Sequence, residues 1–137
     1  MSEPSWPSIG DLIQINEWAC ASHPMTGASI LRDLNALESG LAKPQSHYSY
    51  SGEENLLVLA AVLLFGIAKA HAFVDGNKRT AFHAMTRFFH INGYELLEPD
   101  ELYFAEPIIR FITADMEVGL PDFVHLLAPH VQLLEID

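Results

Sequence analysis

The run from Leu56 to Ala68 contains no polar or charged side chain. As a helix it has no face suited to water, so neighbouring elements must cover it on nearly all sides. A bilayer span needs about 20 apolar residues, and this run is too short for one. It therefore predicts the central helix of an all-α bundle, around which the remaining helices pack. Immediately after it comes a string of opposite character, His71-Ala72-Phe73-Val74-Asp75-Gly76-Asn77-Lys78-Arg79-Thr80. Apolar residues at helical spacing then resume with Phe82, Met85, Phe88 and Phe89. The string is thus a short loop that opens a second helix near Gly76.

A helix start offers unpaired N–H groups and the positive end of the macrodipole, which suits an anion. Lys78 and Arg79 fall in that first turn, where cations have the wrong sign for the dipole. Their placement is accounted for if the turn grips phosphate. Gly76 permits close backbone approach, and Asn77 adds an amide. Asp75 would be repelled by a polyphosphate unless a divalent cation, such as magnesium, stood between them. His71 is then the group able to accept a proton from an incoming nucleophile. Gly76-Asn77-Lys78-Arg79 is not a Walker A loop, since Gly-Lys-Ser/Thr is missing. A metal site from His71, Asp75, His83 and His90 lacks the tight ligand spacing such sites use.

The string resembles the signature of the Fic/Doc family, His-Pro-Phe-x-Asp/Glu-Gly-Asn-Gly/Lys-Arg, with Ala72 in place of the proline. Lys78 takes the Lys form of that pattern, which is typical of the Doc (death-on-curing) branch, the toxins of toxin–antitoxin pairs. The run Ile30 to Gln45 resembles the corresponding Doc segment, and Asn16 stands where the family carries a first-helix histidine. The resemblance implies that His71 is the catalytic base and that Asp75 binds the metal. It also implies that Gly76, Asn77, Lys78 and Arg79 bind the nucleotide phosphates, with ATP and Mg as cofactors. Phe73 reads as a packing anchor that pins the loop. In the Doc branch the terminal phosphate of ATP passes to a hydroxyl of a translation elongation factor. A cognate antitoxin silences the toxin there, through a helix laid in a groove. Many Fic proteins instead transfer AMP, but these have Gly where Lys78 stands and a second arginine where Phe82 stands. The reading from another class is an inactive Fic-fold binding module, against which the intact His71 argues.

The 137 residues carry a net charge of −11, with only seven Lys and Arg. Nucleic acid is therefore not an expected partner, because backbone-phosphate binding needs a basic face. The single cysteine, Cys20, rules out an intrachain disulfide. With no signal-peptide pattern at Met1 to Trp6 and no membrane span, a cytoplasmic single domain over 1–137 is expected.

Ser8 predicts the cap of a first helix running to about Ala21, with Ile9, Leu12, Ile13 and Trp18 inward. His23-Pro24 and Thr26-Gly27 predict its stop and a turn. Asp33 predicts the cap of a second helix, Leu34 to Ala42, stopped by Lys43 and Pro44. Gln45 to Gly52 then reads either as a surface loop or as a flap holding a target peptide by strand addition. Glu53 and Glu54 are expected to begin the central helix. Asn92-Gly93 predicts the end of the helix after the signature. The stretch Asp100 to Glu117 reads as a helix kinked or split at Pro107 and ended by Gly119. Pro121 predicts the first turn of a last helix, to about Ala128. Strand signals are weak throughout, giving about six or seven helices. Arg79, His83 and Arg87 share one helix face, the latter two as a solvated stripe.

Overall fold

The computed structural model describes residues 3–21, 30–97 and 102–135. Among these the elements run α1 (Ile9–Ala21), α2 (Leu34–Ser51), α3 (Leu56–Ala70), α4 (Asn77–Ile91), β1 (Tyr94–Leu96), α5 (Ala105–Thr113) and α6 (Met116–Leu127). A 3₁₀ turn, Ala128–His130, then leads into β2 (Val131–Leu133). The architecture is all-α, with α3 at its centre: every residue from Leu59 to Ala68 is buried. α2 and α4 flank α3, and α5 and α6 close its far side. None of the helices among the described residues is long and apolar enough to cross a membrane.

Capping chemistry sets the helix starts. The Ser8 hydroxyl accepts from Asp11 N at 3.0 Å while Asp11 Oδ2 accepts from Ser8 N at 2.8 Å, a reciprocal box at the start of α1. Asp33 caps α2 by accepting from Ala36 N. Asn55 caps α3 by accepting from Leu57 N, and Glu53 in turn accepts from Asn55 N. Glu53 and Glu54 thus precede the central helix rather than begin it. At the end of α4 the Asn92 amide donates to Phe88 O and, across the fold, to Ser5 O.

Pro44 does not stop α2, which continues through the expected loop or flap at 45–52 to a left-handed Gly52. Proline removes one N–H from the ladder, the donor that Gly40 O would have used. Gly40 is also where α2 crosses α3: its carbonyl lies 2.5 Å from where a Cβ on Gly66 would stand, and Gly66 O lies 2.6 Å from the Cβ position of Gly40. The crossing needs glycine on both helices. Packing against α3 outweighs the lost hydrogen bond, and Pro44 itself is buried.

Other boundaries also differ. Pro107 sits in the first turn of α5, where its missing N–H costs nothing, and the break falls at Ala114-Asp115. α6 starts at Met116 and runs through Gly119 and Pro121. Trp18 is 62% exposed rather than inward. A two-stranded antiparallel sheet pairs Tyr94 with Leu133 and Leu96 with Val131, tying the C-terminal segment to the end of α4. The stop at His23-Pro24, the turn at Thr26-Gly27 and the start at Asp100 lie outside the described residues.

Candidate active site

The loop between α3 and α4 is fixed at four points, each traceable to a residue type. His71 ends α3 in the left-handed conformation, φ 48°, the only non-glycine among the described residues with positive φ. Its carbonyl accepts from the Arg32 guanidinium at 2.8 Å. Strained backbone of this kind persists where the surroundings over-determine it. Residues 30–32 supply that constraint by running antiparallel to the loop, with Arg32 N donating to Ala72 O at 2.7 Å and Val74 N donating to Ile30 O at 3.0 Å. The pairing is a single antiparallel bridge, Leu31 with Phe73.

Phe73 is 1% exposed and anchors the loop in the core. The Asn77 side chain brackets it, accepting from Phe73 N at 3.1 Å and donating to Phe73 O at 2.9 Å. That amide was expected to meet phosphate. Here both of its polar atoms brace the loop, and Asn77 keeps its second amide hydrogen and its backbone N–H for an anion. Gly76 supplies the left-handed N-cap of α4, φ 76°, with the Asn16 amide 3.2 Å from where a Cβ would stand. Thr80 N is the first α4 donor satisfied within the helix, by Gly76 O at 2.8 Å. The N–H groups of Asn77 and Lys78 therefore have no intrahelical acceptor.

Beneath the loop lies a polar contact that sequence reading left without a role. Asn16 of α1 is fully buried and its amide donates to Asp75 O and to the Thr80 hydroxyl, both at 2.9 Å. Cys20, one turn on, approaches Asn16 Oδ1 and Asp75 O. Burial and the nearby Asp75 carboxylate raise the thiol's pKa, against a smaller opposing effect of Arg79. The signal was present in the sequence: Leu12, Asn16 and Cys20 share one helix face, so an amide interrupts an apolar stripe.

Above the loop is a cleft of about 450 Å³ lined by Lys69, His71, Asp75, Gly76, Lys78 and Arg79, with Ile112 and Thr113 of α5 on the opposite wall. The structure thus brings together His71, Asp75, Gly76, Asn77, Lys78 and Arg79, the residues named from the sequence. The His71 imidazole has no hydrogen-bond or ion-pair partner among the described residues, and it is exposed. Asp75 Oδ1 accepts from Gly76 N at 2.8 Å, leaving the second oxygen for a ligand. No three His, Cys, Asp or Glu converge among the described residues. One carboxylate beside a helix start that carries Lys78 and Arg79 would fit magnesium brought with a nucleotide, since that ion keeps waters and takes phosphate oxygens. It does not fit a metal held by protein ligands alone.

On the rest of the α4 face, Arg87 is exposed as a solvated stripe requires, and His83 departs from it. His83 is half-buried, edge-on to Trp18 at 4.7 Å and to Phe82 at 5.3 Å. Burial first, and the Arg79 charge second, lower its pKa. Arg87 pairs with Asp11 at 3.6 Å, tying α4 to α1.

Comparison with known proteins agrees with this geometry. The sequence pattern of the Fic/DOC family matches residues 6–89, which include α1 to α3, the whole loop and α4 up to Phe89. Toxin Doc of Mycolicibacterium smegmatis is 40% identical over 81 residues, 58% of this chain and 62% of that protein. Protein kinase doc of Escherichia phage P1 is 29% identical over 89 residues, 65% of this chain and 69% of that protein. The match thus spans a little under two thirds of the first relative's length and a little over two thirds of the second's. With the Lys78-bearing loop, the matched pattern and these two relatives in agreement, the chain belongs to the Fic/DOC family, on its Doc branch.

Proposed function

We propose that the protein transfers the terminal phosphate of ATP to a hydroxyl of a protein target, with His71 as the base. The target hydroxyl oxygen attacks the γ-phosphorus, the bond from that phosphorus to the β–γ bridging oxygen breaks, and the hydroxyl proton passes to the His71 imidazole. ADP is the leaving group. The start of α4, with Lys78 and Arg79, stabilises charge on the phosphates, Lys78 as a point charge and Arg79 through its planar fork. Asp75 would hold magnesium bound to the nucleotide, which neutralises phosphate charge. Catalysis is then mostly positioning and electrostatics, as suits phosphoryl transfer.

The observation that carries this reading is the placement of an exposed, unpartnered imidazole on the same cleft as the helix start and Lys78. Phe82 supports phosphate over AMP transfer. It packs against Phe104 at 6.1 Å and puts no guanidinium at the position where AMP-transferring relatives have an arginine. The relatives' names, one a toxin and one a protein kinase, support the same reading. A translation elongation factor as target and a cognate antitoxin as partner belong to it. Incubation with the elongation factor and ATP labelled at either the γ- or the α-phosphate tests it. Label on the target from γ-labelled ATP alone is expected, and label only from α-labelled ATP would establish AMP transfer instead.

A further inference from the structure

The cations of the cleft extend beyond the start of α4. Lys69, in the last turn of α3, lines the same cleft, and its ammonium stands 5.8 Å from the centroid of the Phe65 ring. Lys43 of α2 brings a second ammonium to 5.8 Å from the same centroid. Both side chains are exposed, and among the described residues neither has a carboxylate within ion-pair distance. In a chain with 18 acidic and seven basic residues, that arrangement needs a cause. Arg87 and Arg110, which do not line the cleft, each have a carboxylate, at 3.6 and 3.5 Å. Phe65 holds the two ammoniums by its ring electrons without neutralising them. Its own ring is fixed against Phe111 at 5.3 Å. Two like charges thus stand around Phe65, and one of them, Lys69, is on the wall of the cleft; neither has a carboxylate within ion-pair distance among the described residues.

We infer that Lys69 and Lys43 form a second anion subsite, which takes a phosphate of the nucleotide other than the one gripped at the start of α4. The inference rests on the nucleotide reading above and extends it: the phosphate chain lies across the cleft, between the α4 start and the α3 end. An acidic segment of the protein target is the competing occupant. Lys69 favours the nucleotide, because it lines the cleft together with His71 and Lys78.

Calorimetric titration with ATP and magnesium tests the subsite in three proteins: wild type, K43Q/K69Q, and R87Q/R110Q, which loses the same two charges away from the cleft. The expected result is about tenfold weaker ATP binding in K43Q/K69Q alone, as for loss of charge-assisted contacts. Equal weakening in both variants would reduce the effect to general field and overturn the subsite. Unchanged ATP affinity in K43Q/K69Q overturns it too while leaving the nucleotide reading intact. If that variant also needed more protein target for half-maximal rate, the lysines would belong to the target. A wild type that binds no ATP overturns both readings.

Discussion

Replacing Asn77 with alanine separates two accounts of a residue that sits in the middle of the signature. Its amide makes two hydrogen bonds to the backbone of Phe73, at 3.1 and 2.9 Å, and both are part-buried. Each such bond contributes about 0.5–1.5 kcal/mol net, and water can partly replace them here, so N77A should lose about 1–2 kcal/mol of stability without any nucleotide. For a chain of this size that corresponds to a fall in Tm of roughly 3–8 °C. The assay is urea and thermal unfolding in magnesium-free, nucleotide-free buffer, followed by circular dichroism. The urea midpoint should fall by about 0.5–1 M at an ordinary denaturant slope. ATP affinity should fall as well, because an unbraced Phe73 loosens the turn that carries Asp75 and Gly76. If N77A unfolds like wild type yet loses ATP, the amide serves the ligand directly and the bracing account is wrong.

Other perturbations probe the parts around the site. G66A puts a Cβ within 2.5 Å of Gly40 O. Its helix-propensity gain of up to about 1 kcal/mol should be outweighed by overpacking, for a net loss of about 1–2 kcal/mol in urea unfolding. N16A strips the donor from Asp75 O and from the Thr80 hydroxyl. It should cost about 2–3 kcal/mol in the same assay, since the Thr80 hydroxyl left behind is buried and Asp75 O is part-buried. Burial and the Arg79 charge lower the folded pKa of His83 below the ordinary histidine value of 6.5. The unfolded chain then binds more protons between those two values, so stability falls as pH drops through that window. H83Q should flatten this part of the pH profile of the urea midpoint. Cys20 is 2% exposed and its thiol pKa is raised, so a thiol reagent at neutral pH should label it slowly in the native state and fast in urea.

The family and the position of the candidate site were more legible in the sequence than the helix boundaries. Leu56 to Ala68 could only be a covered helix, and the string from His71 to Thr80 could be placed at a loop and helix start because Gly76 and the cations mark one. The misreadings share a cause. Pro44, Pro107 and Gly119 read as local breakers and Pro121 as a helix start, yet a helix tolerates proline in its first turn, as at Pro107, or where packing against α3 rewards continuing, as at Pro44, and α6 runs through both Gly119 and Pro121. The β1–β2 pair is too short for a periodic signal, and it depends on residues far apart in the chain. Within the site, the bracing of Phe73 by Asn77 was not legible for a similar reason. An amide can serve a ligand or its own loop, and only the distance to Phe73 decides between them. Arg32 and Asn16 act on the loop from other elements, where spacing along the signature says nothing.

In the proposed mechanism a fixed cradle holds the nucleotide while the exposed His71 imidazole takes the proton. Single-turnover transfer of γ-phosphate to the target, measured beside ATP affinity on the same H71A preparation, tests it most directly. The account predicts ATP affinity within about twofold of wild type, because His71 adds no phosphate contact, and a transfer rate lower by about 10²-fold or more. Transfer at the wild-type rate in H71A, with ATP bound equally well, would contradict it.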